Sequence, residues 1–356
     1  MKTFRTGCLV MKKVLLLIML TLLPPGAALA VKVGSLYQIE IPVASQSAAA
    51  RDEAIKQGFI QVLTRVSANP DIGHHAKLKE MLPHAERYVQ EFSYGPDESK
   101  ASPYVIRISY GKDDIKRLLR RLGVSSWGEN RPLIMVWLTM MQQGESPEII
   151  GDESPDGLQR TMRQQGKWVG LPLVFPAMDV TDVSHINAED VNAMALPALQ
   201  EASKRYAPDA ILIGNIVAIG HGFESRWRLL VGDQQWNWDV AADAPVFVVT
   251  KALREVNQAL AKRYAVNSAD EPLVRLKLEV SNITERDDLA RLVRYLNQLS
   301  PVQQVELSEV SGDVVELTVL VRGPMERFEQ NTLVGDRLLL QGQDVETKRL
   351  VYQWVH

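Results

Sequence analysis

The residues best suited to ligand chemistry are Asp179, Asp182 and His185, spaced three apart in the run Asp179-Val-Thr-Asp182-Val-Ser-His185. Two carboxylates and an imidazole are groups that could bind a metal or a polar ligand. The triplet follows the apolar run Leu171 to Phe175. It therefore falls just beyond the carboxyl end of an expected strand, where open α/β sheets place ligands. The plainer reading is a solvated loop whose carboxylates cap the next helix. His74, His75 and His84 form a second group, but His75 and His84 lie nine positions apart, about 900° around an ideal helix and on opposite sides of it. Neither group matches H-E-x-x-H or any cysteine-containing site, so no metal is assigned.

Other chemistry is weighed on the same terms. Gly214-Asn215-Ile216-Val217-Ala218-Ile219-Gly220-His221-Gly222 is glycine-rich. It lacks G-x-x-x-x-G-K-[ST] and leads into a strand, so it reads as a strand turn rather than a phosphate cradle. There is no G-x-S-x-G, and Ser93, Ser125, Ser126 and Ser184 have no local signature placing a base beside them. The six histidines are too scattered to define a general base. No catalytic residue and no cofactor is assigned. Trp227, Trp236 and Trp238 fall on one expected hairpin, where Trp236 and Trp238 share a face. They would make an exposed platform for glycan, peptide or partner, or else pack against the following helix with its Phe247 and Val248. Lys112, Lys116, Arg117, Arg120 and Arg121 make a basic helix that would meet an anionic surface, or a solvated face diluted by Asp113 and Asp114.

The elements that must position these residues fall into three segments. Residues 31–126 read strand, helix, helix, strand, helix, a small α+β unit. Its strands are Ser35 to Val43 and Tyr104 to Tyr110, and its helices cover 48–67, His75 to Gln90 and Lys112 to Leu122. Residues 131–266 carry nearly continuous apolar runs at Leu133 to Met140, Leu171 to Phe175 and Ala210 to Ile219, the mark of strands covered on both faces. Helical stretches between them, at 156–168 and 189–206, imply right-handed crossovers and a short parallel sheet. A hairpin turning at Gly232-Asp233 and a helix from Pro245 to Tyr264 complete a three-layer α/β domain. Residues 271–356 follow the β-α-β-β-α-β order of a ferredoxin-like unit. The fold class is thus α+β and α/β, multidomain.

Composition bounds the function. The chain has 356 residues, 46% hydrophobic and 23% charged, with 40 basic against 43 acidic side chains. A near-neutral balance argues against a dedicated nucleic-acid binder. Residues 1–30 read as a secretory signal peptide. Lys2, Arg5, Lys12 and Lys13 precede an apolar run from Val14 to Leu23, and Ala28-Leu29-Ala30 gives the cleavage pattern through Ala28 and Ala30. At about 15 Å as a helix, that run is too short for a bilayer core of about 30 Å. Met11-Lys12-Lys13 would open an equally good signal. Cys8 follows Arg5-Thr6-Gly7, an unfavourable site for a lipid anchor. Cleavage after Ala30 leaves 36 basic and 43 acidic residues and no cysteine, so burial alone must stabilise the exported body. The expected compartment is the bacterial periplasm, with no stable membrane span after cleavage.

Asp52-Glu53-Ala54, Val62-Leu63-Thr64-Arg65-Val66-Ser67, Arg131-Pro132-Leu133 and Pro208-Asp209-Ala210-Ile211-Leu212-Ile213-Gly214, together with the signal, resemble the DUF2066 family. These are exported proteobacterial proteins of unknown function, and the likeness spans about residues 33–265. The resemblance implies export and supplies no catalytic residue. The middle segment is also similar to the α/β domains of TolB N-terminal-like proteins and penicillin-binding-protein activators, which implies a fold and not a function. The expectation is a periplasmic, non-catalytic accessory protein that binds a cell-envelope protein. The alternatives are a small-ligand or glycan-binding protein using the mouth of the middle sheet around Asp179, Asp182 and Trp236, and a hydrolase whose residues leave no motif.

Overall fold

A computed structural model describes residues 36–97, 102–155, 157–267 and 271–356. The signal segment with Ala28 and Ala30 lies outside these residues. The chain builds three sheets, the first antiparallel and the other two mixed, with helices packed on them, a multidomain α+β architecture.

The first sheet has the order β1-β3-β2, from β1 (Gln38–Val43), β2 (Val89–Pro96) and β3 (Tyr104–Tyr110). Helix α1 (Ala48–Ser67) starts where Ser47 Oγ accepts the amide of Ala50, and Ala68 ends it in the left-handed region. Its apolar stripe of Ala54, Ile55, Phe59, Val62, Leu63 and Val66 is buried with Ile39, Ile106 and Ile108 from the strands. The expected helix over His75 to Gln90 is shorter. It comprises α2 (Ala76–Met81) and a 3₁₀ segment (Leu82–Tyr88) distorted at His84, after which Val89 enters β2 instead of continuing the helix. Pro83 at the start of the 3₁₀ segment cannot donate to the preceding turn, which accounts for the change of winding. Helix α3 (Lys112–Leu122) buries Ile115, Leu118 and Leu119 and ends on Gly123.

The middle sheet has the order β5-β4-β7-β8-β9, with β6 also pairing β4. The elements are β4 (Ile134–Met141), β5 (Glu148–Ile149), α4 (Leu158–Val169), β6 (Leu173–Val174), α5 (Val180–His185), α6 (Ala188–Asn192), α7 (Leu196–Ser203), β7 (Ala210–Ile219), β8 (Gly222–Val231), β9 (Gln234–Ala242) and α8 (Pro245–Tyr264). Strands β6, β4 and β7 are parallel, as the helical crossovers demand. Residues along β4 alternate between two cores. Ile134, Val136 and Leu138 pack with α4 and α8 on one face, and Met135 and Trp137 pack with α5 to α7 on the other. Burial on both faces is why this strand is a continuous apolar run.

The third sheet has the order β11-β12-β10-β14-β13, with α9 (Asp288–Leu296) and α10 (Met325–Thr332). Strands β10 (Leu273–Ser281), β11 (Val302–Ser311) and β12 (Val314–Arg322) keep the ferredoxin-like placement. After α10 the chain makes a hairpin of β13 (Leu338–Asp344) and β14 (Arg349–Trp354). The last strand of that hairpin therefore lies parallel to β10. The added strand β13 takes the outer edge.

Polar staples join these layers. Arg131 is buried, with Cζ 3.7 Å from the Trp127 ring centroid. It donates to the carbonyls of Gly128 at 2.8 Å, Arg65 at 2.6 Å and Trp127 at 3.0 Å, so it grips an otherwise unbonded carbonyl near the end of α1. Asp209 accepts from the amides of Leu133 and Gly335, each at 2.7 Å. Burial raises its pKa, and those two amides pull the other way. Arg131 and Asp209 thus serve architecture.

Candidate ligand and partner surface

The loop after β6 leads through Met178, held at φ 54°, into Asp179. Asp179 caps α5, its Oδ1 accepting the amides of Thr181 at 3.1 Å and Asp182 at 3.0 Å. The far wall comes from the end of the helix that starts with α7. Arg205 donates from Nη1 to Asp179 Oδ1 at 2.7 Å, from Nη2 to Asp179 Oδ2 at 2.9 Å, and from Nη1 to Asp182 Oδ1 at 2.9 Å. Tyr206 donates its hydroxyl to Asp182 Oδ2 at 2.6 Å, and the same oxygen accepts the Met178 amide at 2.9 Å. The Tyr206 hydroxyl in turn accepts the Ala177 amide at 2.9 Å.

Electrostatics follow from these contacts. The Arg205 guanidinium holds the Asp179 carboxyl well below the usual carboxylate range, helped by the Asp182 amide. Asp179 raises Arg205 in return. Burial, then the bond to Asp182, pushes the Tyr206 hydroxyl up to about 12. Asp182 is buried at 1% exposure with both oxygens engaged. The bonding of these carboxylates is spent on the protein itself, which is the capping role.

His185 does not join them. Its Nδ1 lies 2.8 Å from the Thr181 carbonyl and 3.0 Å from Ser184 Oγ on the exposed side of α5. Trp236 and Trp238 belong to the other face of the sheet, half-buried against the core under α8. Trp238 stands opposite Trp227, whose Nε1 donates to Ser225 Oγ at 2.8 Å. A single mouth combining Asp179, Asp182 and Trp236 therefore does not form, because the sheet separates them. Of the two α8 residues expected to meet these rings, Val248 is buried and Phe247 is exposed.

Beside the acidic cluster runs an open groove of about 560 Å³, lined by Ile149, Gly151, Met178, Val183 and Ile186 with Glu148, Glu153, Ser154 and Asn187 at its margins. Gly151 lets Met178 pack close against the chain there, since a Cβ would stand 2.6 Å from Met178 Cγ. Val180 and Val183 on α5 are 83% and 56% exposed. Sequence reasoning found the acids but not Arg205, Tyr206 or the two valines. The signal available was a pair of valines three apart on a short polar helix.

The grouping with metal-like spacing among the described residues is Glu285, Asp288 and His356. Its centre is already taken by a cation: Arg291 bonds Glu285 and lies 2.8 Å from Asp288 Oδ1. Asp288, the first residue of α9, also accepts the amides of Thr284 at 3.0 Å and Glu285 at 2.6 Å and so ties down the chain entering the helix. His74, His75 and His84 do not gather into such a group.

A family model described as domain of unknown function DUF8605 matches residues 30–128. It is not DUF2066, and it stops far short of residue 265. No curated protein matches the chain. Among solved structures, lipoprotein GNA1162 from Neisseria meningitidis is similar at 13% identity and a TM-score of 0.23, over 36% of this chain and 97% of that one. The LpoB C-terminal domain from Salmonella enterica is similar at 13% identity and 0.21, over 36% and 92%. TolB from Acinetobacter baumannii is similar at 11% identity and 0.19, over 43% and 42%. Likeness at this level leaves function to be read from the chain's own residues.

Proposed function

We propose that the protein is a non-catalytic accessory protein of the bacterial cell envelope, exported to the periplasm as the domains 31–126, 131–266 and 271–356, and that it binds its partner through the groove beside α5. The observation that carries this is the exposure of Val183 at the rim of an apolar groove, with Val180 exposed three residues before it on α5. Apolar surface of this kind gains free energy when a partner covers it. The adjoining acids support binding over chemistry, because their oxygens are held by Arg205, Tyr206 and backbone amides. Among the described residues no helix is long and apolar enough to cross a membrane.

A photoreactive residue placed at position 183 in intact cells tests the reading. It should yield one discrete adduct with an envelope protein, absent when the same residue stands at exposed position 343 and lost on Val180→Asp. Adducts of equal yield at both positions, or none at 183, would sink it. A small-ligand reading is favoured by the volume of the groove, which falls within the range of ligand pockets. It predicts a compound that raises the melting temperature and is competed by the Val183→Asp change.

A further inference from the structure

Exposed sheet edges are templates for another strand, and proteins blunt them with prolines, bulges, charges or brevity. The edges of this chain show those devices. Strand β1 contains Pro42, and β2 is bulged after Val89 and ends at Pro96. Strand β5 has two residues. Strand β11 is bulged twice and carries Glu306 and Glu309, and β13 is bulged after Leu340. Strand β9 is the exception among the described residues. It runs nine residues, Gln-Gln-Trp-Asn-Trp-Asp-Val-Ala-Ala, without proline or lysine, and pairs with β8 without a register shift.

Turn geometry shows which amides face outward. Val231 and Gln234 flank the two-residue turn Gly232-Asp233, so they form a hydrogen-bonded pair, and such pairs alternate along the ladder. Gln234, Trp236, Trp238 and Val240 therefore bond to β8. Gln235, Asn237, Asp239 and Ala241 point their N–H and C=O groups to the open edge. The Lys251 Nζ donating to the Ala241 carbonyl at 3.0 Å agrees with this assignment.

We propose that two copies of the chain pair through β9, antiparallel, about a two-fold axis at Trp238. This register puts Asn237 opposite Asp239 of the second copy, outward-facing residues that can exchange both bonds, and Gln235 opposite Ala241, whose carbonyl would exchange the Lys251 ammonium for the Gln235 amide. It uses the whole strand from Gln234 to Ala242. An axis at Asp239 would set that carboxylate against itself, and an axis at Asn237 would leave Ala241 and Ala242 overhanging. On one face, Arg226 stands opposite Asp239 and Arg228 Nε donates to Asn237 Oδ1 at 2.8 Å. Pairing therefore extends these into a row in which an arginine stands opposite each carboxylate and no like charges are directly opposed. On the other face the half-buried Trp238 meets Trp238 of the second copy, a close non-hydrogen-bonded aromatic pair. Because α8 packs on β8 and β9, the two α8 helices come side by side at about two strand spacings, roughly 10 Å, the distance of packed helices. The contact is isologous and closes as a dimer. It uses the sheet edge opposite the α5 groove and so does not depend on what that groove binds.

Sedimentation velocity on the purified full chain tests this. A dimer is expected, and Asn237→Pro should weaken it at least about tenfold while leaving the circular dichroism spectrum unchanged, since that amide faces outward. In a Cys8→Ser background, Asn237→Cys with Asp239→Cys should form a disulfide-linked dimer on mild oxidation, because directly opposed residues lie within bridging distance. Either cysteine alone should not. A monomer up to about 100 µM, a dimer indifferent to Asn237→Pro, or equal cross-linking by the single-cysteine proteins would overturn the proposal.

Discussion

Trp227 lies across Gly214 so closely that a Cβ on the glycine would stand 2.4 Å from the ring carbon Cζ3 and 2.6 Å from Cε3. The two residues face each other in the β7–β8 ladder. The glycine thus makes room for a fully buried indole at the centre of the middle sheet. Gly214→Ala should therefore destabilise the protein by about 1–3 kcal/mol through overpacking. Urea denaturation checks this: in a Trp227→Leu background, itself less stable because a buried indole is lost, the further cost of Gly214→Ala should largely vanish.

The Asp179, Asp182, Arg205 and Tyr206 cluster gives stability a definite dependence on pH. The folded pKa of Asp179 is depressed by Arg205, so its contribution is complete above the unfolded carboxylate value of about 3.9 and fades as pH falls through the lower folded value. Tyr206 is raised to about 12, so its contribution is complete below the unfolded value of about 10 and fades as pH rises toward 12. Denaturation midpoints measured from pH 2 to 12 should show Asp179→Asn flattening the acid limb and Tyr206→Phe flattening the alkaline limb. The reverse assignment would contradict the geometry.

Much of the architecture was legible because period reports burial. The apolar run of β4 betrayed a strand covered twice, and Pro245 marked the start of α8. Edges were harder. Strand β2 has no fully buried position, so no alternation distinguishes it from the end of a helix, and β5 is too short to carry a pattern at all. The site was half legible. Asp179 and Asp182 are close in sequence, whereas their partners Arg205 and Tyr206 lie more than twenty residues away and are brought in by packing on Trp137, Ile186 and Leu199. Of the two readings of the tryptophans, packing against the following helix is the one that the core shows. Alternation assigns Trp236 and Trp238 to one face without saying which, and α8 claims that face.

Arg131 should behave as a structural clamp with no tolerance for lysine. Its guanidinium reaches three carbonyls and stacks on Trp127, a planar fork that an ammonium cannot reproduce. Arg131→Lys and Arg131→Met should each cost about 2–5 kcal/mol by leaving buried carbonyls unbonded. Differential scanning calorimetry would show the loss. A melting temperature unchanged in Arg131→Lys would show that charge alone, and not the fork, holds α1 to the middle sheet.

The two faces of α5 should separate surface from core. Val180 and Val183 are exposed, whereas Ile186, just after the helix, is 3% exposed and packed with Val191, Leu199 and Trp137. Val180→Asp and Val183→Asp therefore leave solvated side chains solvated and should move stability by no more than about 0.5 kcal/mol. Ile186→Asp would bury an unpaired carboxylate and should cost several times that, on the order of 3 kcal/mol or more. Guanidinium unfolding of the three variants checks the contrast. If Val183→Asp destabilises as much as Ile186→Asp, the valines belong to the folded core, and the rim of the groove is not a free surface awaiting a partner.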